Sequence, residues 1–157
     1  MAEHVVDWRC EDVDAEEEGT RLGAVAHSLL ELVHAEHPDL GAPLELSLLL
    51  TSDAVIQPLN AQWRGKDAAT DVLSFPLDEG PVLGDVVISV DTAARRVDGE
   101  TWRLEDELAF LLLHGVLHLL GHDHHEPDER AAMEAEEQRL WTALGRTGTL
   151  RDPSERT

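Results

Sequence analysis

From Thr20 to His37, Leu22, Val25, Ala26, Leu29, Leu32 and Val33 recur at three- and four-residue intervals, the period of a helix with one buried face, and Pro38 ends it. Ahead of that helix, Val5 to Trp8 predicts a short strand and Asp12 to Gly19 an acidic loop. Leu44 to Leu50 alternates too little for a half-exposed strand, but its length and flanking punctuation suit a buried one. Thr51-Ser52-Asp53 supplies N-cap chemistry for a helix reaching about Arg64, where Pro58 is expected to cost a backbone hydrogen bond. Asp71 to Phe75, closed by Pro76, and Gly84 to Val90 predict two neighbouring strands across a Pro/Gly loop. Ala93, Ala94 and Val97 mark a short helix. Trp102 to Leu120 then predicts a helix apolar on most faces, which must lie buried at the centre of the domain. Pro127 to Leu144 predicts a closing acidic amphipathic helix, with Gly145 at its end.

With 157 residues, 42% of them hydrophobic, the chain has the size of one compact domain, expected over residues 1–147, with 148–157 as a tail. Cys10 is the only cysteine, which excludes an intramolecular disulfide or a thiolate zinc cluster and fits a reducing compartment, the cytoplasm by default. The N-terminus lacks a basic segment and no apolar run approaches the roughly 18 residues of a membrane span, so neither export nor a membrane partner is expected. A net charge of −21 argues against non-specific binding to polyanions, so any nucleic-acid contact must be local. The acids crowding Glu11 to Glu18 and Glu126 to Glu137 are expected to be solvated surface.

The chemistry concentrates in His114-Gly115-Val116-Leu117-His118-Leu119-Leu120-Gly121-His122-Asp123-His124-His125. Histidines four apart share one helical face and can reach one metal at roughly 2.0 to 2.1 Å. On a continuing helix His122 would lie about 12 Å from His114 along the axis, so the chain must turn back, and Gly121 is placed to end the helix in a left-handed conformation. His124 then completes a three-histidine spacing, with His122 and His125 in reserve. Three imidazoles leave a position open for water, as a catalytic zinc requires. In zinc proteases the residue after the first histidine is a glutamate base; here it is Gly115.

His114 to His124 carries every fixed position of H-G-x-L-H-L-x-G-x-D-H, and in these residues the sequence resembles the YbeY family of bacterial rRNA-maturation endoribonucleases. Leu59 to Pro76, including Asn60, Arg64, Asp67 and Thr70-Asp71-Val72-Leu73-Ser74-Phe75-Pro76, resembles a second hallmark of that family, and Leu83 to Ser89 a third. Trp63 and His122 stand where the family more often has tyrosine. The resemblance implies a zincin-like α+β fold, a small mixed sheet flanked by helices, with one Zn2+ on His114, His118 and His124 of a central buried helix. It also implies cleavage of single-stranded rRNA, including the small-subunit 3′ end, with the ribosome or ribosomal proteins as partners and DNA not expected. Arg64 matches a family arginine implicated in activity; with Lys66 it forms a basic island suited to a phosphate, against the plainer reading of an arginine paired with Asp67 or Asp71. Asp85 and Asp123 are candidates to orient a ligand histidine. Thr70 and Ser74 are expected to satisfy nearby backbone. The alternatives are a zinc peptidase or amidase with a distant base, and a non-enzymatic ribosome assembly factor with a structural metal.

Overall fold

The computed structural model describes residues 3–98, 102–123 and 125–146. Its elements are β1 (Val5–Glu11), α1 (Glu16–Glu36), β2 (Glu45–Thr51), α2 (Asp53–Arg64), β3 (Val72–Glu79), β4 (Val82–Ser89), α3 (Val90–Val97), α4 (Leu104–Leu119) and α5 (Pro127–Ala143). The strands form one sheet in the order β1-β2-β4-β3, parallel from β1 through β4, with β3 antiparallel at the edge. This is the α+β arrangement of a small mixed sheet among helices that the family resemblance implies.

Alternation along the strands sorts the side chains between two faces. Leu46, Leu48 and Leu50 of β2 and Val86 and Ile88 of β4 turn towards α1 and α4 and form the main core. Leu49, Leu73, Phe75 and Val87 turn the other way, against Ile56 and Leu59 of α2. That second face is only partly covered, and a groove of about 690 Å³ lies along it.

Two boundaries depart from the periodicity. α1 begins at Glu16, inside the expected loop, because Glu16, Glu17 and Glu18 fill its first turn, where carboxylates meet the positive end of the helix dipole. β3 runs through Pro76 to Glu79 rather than stopping at Phe75; an edge strand tolerates a residue without an N–H, and the register with β4 slips between Pro76 and Glu79. α2 runs through Pro58, and its Ser52 hydroxyl accepts from the Val55 N–H at 3.3 Å as the N-cap chemistry predicts.

α4 lies beneath β3 and β4, and Leu108 to Leu113 are all buried. Gly115 is what lets it approach: a Cβ there would stand 2.8 Å from Val86 Cγ1 and 3.1 Å from Ser74 Oγ. The Ser74 hydroxyl donates to the Gly115 carbonyl at 3.0 Å, so it satisfies backbone as expected and fixes the helix to the edge strand. α5 packs on α4 through Met133, Glu137, Leu140 and Trp141, and Trp141 stacks on Trp102 with 5.4 Å between ring centroids. The expected tail, 148–157, lies outside the described residues.

Candidate functional site

Since Gly115 faces the sheet, helical geometry turns His118 about 60° and His114 about 100° to one and the same side of it. Both half-buried rings therefore lie together on one flank of α4. Their Nε2 atoms are 3.2 Å apart and the rings are nearly perpendicular, at 77°. On the far side of the His114 ring, Nδ1 donates to Glu137 Oε2 at 2.7 Å, and the Glu137 side chain is only 3% exposed. A neutral His114 held this way turns its Nε2 lone pair towards His118.

Glu137 corrects the expectation that the whole acidic run to Glu137 is solvated surface. It stands one helical turn from both Met133 and Trp141, so the apolar stripe that docks α5 onto α4 carries it inward. An acid within that stripe was the available signal. The carboxylate on His114 is thus neither Asp85 nor Asp123. Asp85 lines the groove on the opposite sheet face, and Asp123 stands 3.3 Å from His125 Nε2.

α4 ends as its sequence predicts. Gly121 has φ 99°, its N–H donates to the His118 carbonyl, and the His122 N–H reaches back to the Leu117 carbonyl, each at 3.0 Å. These two bonds make a Schellman turn, which needs the left-handed residue that glycine supplies. His122 is half-buried beyond it and His125 exposed, while His124 lies outside the described residues. Among the described residues no group of three or more His, Cys, Asp or Glu side chains is placed to hold a metal. The donor pair itself fits one: two nitrogens bound to a tetrahedral ion at 2.0 to 2.1 Å stand about 3.3 Å apart, close to the 3.2 Å found here.

Arg64 closes α2 on the other face of the sheet, in the groove with Trp63, Phe75, Leu77, Asp85 and Arg9. The acids expected to pair with it are engaged elsewhere. Asp71 binds Arg96, and Asp67 accepts from Gln57 Nε2 at 3.1 Å. β3 stands between Arg64 and the two histidines, Ser74 touching α4 and Phe75 touching Trp63.

A helix-borne histidine pair with one imidazole braced by a buried carboxylate is the donor arrangement that metallohydrolases build. Residues 8–145 match the family described as Endoribonuclease YbeY, and the chain belongs to that family. It is 54% identical over 111 residues to the Endoribonuclease YbeY of Anaeromyxobacter sp. (strain Fw109-5), covering 68% of this chain and 58% of that one. With that of Anaeromyxobacter dehalogenans (strain 2CP-C) it shares 45% over 148 residues, covering 92% and 74%. With that of Rhizobium etli (strain CIAT 652) it shares 43% over 144 residues, covering 87% and 81%. The fold is also that of TM1509 from Thermotoga maritima, whose solution structure matches with a TM-score of 0.57 at 20% identity, over 94% of this chain and 99% of that one. Among the described residues no helix is long and apolar enough to cross a membrane.

Proposed function

We propose that this protein is a metal-dependent endoribonuclease that cuts single-stranded rRNA during ribosome maturation in the cytoplasm, with one zinc ion held by His114, His118 and His124. The observation that carries the reading is the pair of Nε2 atoms 3.2 Å apart, one of them made a lone-pair donor by Glu137. Membership of a family named for endoribonuclease activity supplies the reaction class. When bound, zinc supplies Lewis-acid chemistry towards a phosphodiester and water.

The chain's own residues do the rest. Glu137 fixes the tautomer and ring plane of His114, and Ser74 and Gly115 seat α4 against the edge strand so that both rings keep their angle. Arg64, which has no acid partner among the described residues, offers its guanidinium to a phosphate of the bound strand. The peptidase alternative gains nothing here. It requires a distant carboxylate as base, and Glu137, the buried carboxylate beside the pair, is already engaged by His114 Nδ1. Because the surface is strongly acidic, ribosomal proteins or the ribosome hold the substrate in place.

The test is cleavage of a single-stranded RNA carrying the small-subunit rRNA 3′ end, alone and within small-subunit particles, by zinc-loaded parent, His114→Ala and Arg64→Ala proteins. Parent cleavage, none by folded His114→Ala, and a loss of about 10- to 100-fold for Arg64→Ala, one charged hydrogen bond to a phosphate, are expected. A folded, zinc-loaded parent inert on both substrates would refute the nuclease reading.

A further inference from the structure

We propose that Trp63 is a base-stacking residue for single-stranded RNA, with Arg9 and Arg64 at the phosphates of the strand that lies in the groove on the α2 face. The inference rests on the endoribonuclease reading and adds to it the path of the substrate. Three observations carry it.

The first is exposure where burial is cheap. Among the described residues the large apolar side chains left open are Val5, Trp63 and Leu77, and the last two line this groove. Trp63 is 61% exposed, held in an edge contact with Phe75 at 6.0 Å between centroids, whereas Trp141 is 1% exposed in the core. An indole offers a sequence-tolerant face on which an unpaired base stacks.

The second is charge. Arg21, Arg95, Arg96, Arg103, Arg139 and Arg146 each pair with a carboxylate. Among the described residues Arg9, Arg64, Lys66 and Arg130 pair with none, although acids exceed bases by 21 in this chain. Arg9 and Arg64 line the groove, and Lys66 follows two residues after Arg64. Cations kept unpaired beside an open indole suit a polyanion with exposed bases; an apolar protein partner would account for the indole and leave the cations unexplained. Asp85, the acid lining the groove, suits a base amino group and disfavours a phosphate at its own position.

The third is position. Phe75, against Trp63, and Ser74, bonded to the Gly115 carbonyl beside His114, are neighbours on β3. A strand stacked on Trp63 has only the edge of the sheet to pass before it reaches the histidine pair. The groove thus binds nucleotides flanking the scissile bond.

The experiment is fluorescence anisotropy of a labelled hexaadenylate RNA with EDTA-stripped protein, where cleavage plays no part, at 50 and 200 mM salt. Trp63→Ala is expected to weaken binding by about tenfold or more and Trp63→Phe to restore most of it. Arg9→Gln is expected to flatten the logarithmic salt slope by about 0.7, one phosphate contact on a single strand. Titration should also quench tryptophan emission in the parent and much less in Trp63→Phe. Circular dichroism checks each fold. If the parent binds and Trp63→Ala binds equally well, the groove proposal fails while the nuclease reading stands, and the groove belongs to a protein partner. A zinc-loaded parent that cleaves long RNA yet leaves the hexamer unbound overturns the groove alone. A parent that neither binds nor cleaves overturns both.

Discussion

Replacing Glu137 with glutamine tests whether the buried carboxylate serves the histidine pair. The substitution keeps shape and volume, so no cavity opens, but it removes the charge from the acceptor 2.7 Å from His114 Nδ1. Charge-assisted hydrogen bonds are roughly twice as strong as neutral ones. An amide that instead turned its NH2 towards Nδ1 would force the proton onto Nε2 and block the lone pair. Loss of such a partner lowers metal affinity by about 10- to 100-fold, or about 1.4 to 2.7 kcal/mol. The assay is zinc competition against a chromogenic chelator at neutral pH, with far-UV circular dichroism to confirm the fold. A zinc dissociation constant raised within that range is expected. Parent-like zinc affinity in folded Glu137→Gln would refute the role assigned here and reduce the contact to a tie between α4 and α5.

Two further predictions concern the frame around the site. Gly115→Ala forces a methyl to 2.8 Å from Val86 Cγ1, and overpacking of this kind costs about 1 to 3 kcal/mol; its thermal midpoint should fall, the fall should be smaller in a Val86→Ala background, and a midpoint equal to the parent's would contradict the packing. Asp53 ties α2 to α3: burial pushes its carboxyl up, but hydrogen bonds from Ser89, Thr92 and Arg95 outweigh burial and hold it below its ordinary value of 3.8. A depressed carboxyl stabilises the fold above 3.8, and that contribution is lost as the pH falls through the lower folded-state value. Asp53→Asn should therefore be less stable than the parent to urea at pH 7, with the gap closing in acid below about 3.8; a gap independent of pH would contradict the charge assignment.

The main elements and their order were legible because each follows from a local pattern: a 3.6 period in α1, N-cap chemistry at Ser52, a left-handed glycine after α4. A small mixed sheet was implied only by family resemblance, and its strand order not at all, since strand pairing depends on contacts distant in sequence. The extension of β3 through Pro76 escaped because a proline stops an interior strand but not an edge one, and edge position is a property of the assembled sheet. That His114 and His118 share one flank of α4 was legible from spacing alone. Their carboxylate was not, because an acidic run suggests solvent unless each acid is placed on its helix wheel, where Glu137 falls in line with Met133 and Trp141.

The same wheel explains why this helix suits phosphodiester rather than peptide chemistry. A zinc peptidase sets its glutamate beside the first histidine, facing the open coordination position, where it can take a proton from water. Here that position is closed by Val86 and Ser74, and the nearby carboxylate arrives from α5 on the Nδ1 side of the ring, away from the Nε2 atoms. Glu137 is buried and engaged by Nδ1–H, so it orients a donor instead of moving a proton for the substrate. Phosphoryl transfer relies mainly on positioning and on stabilising charge that is already present on the substrate. Ring orientation on α4 and the cations across β3 that stand unpaired among the described residues meet those two needs, and the glutamate missing at Gly115 is one that this reaction can do without.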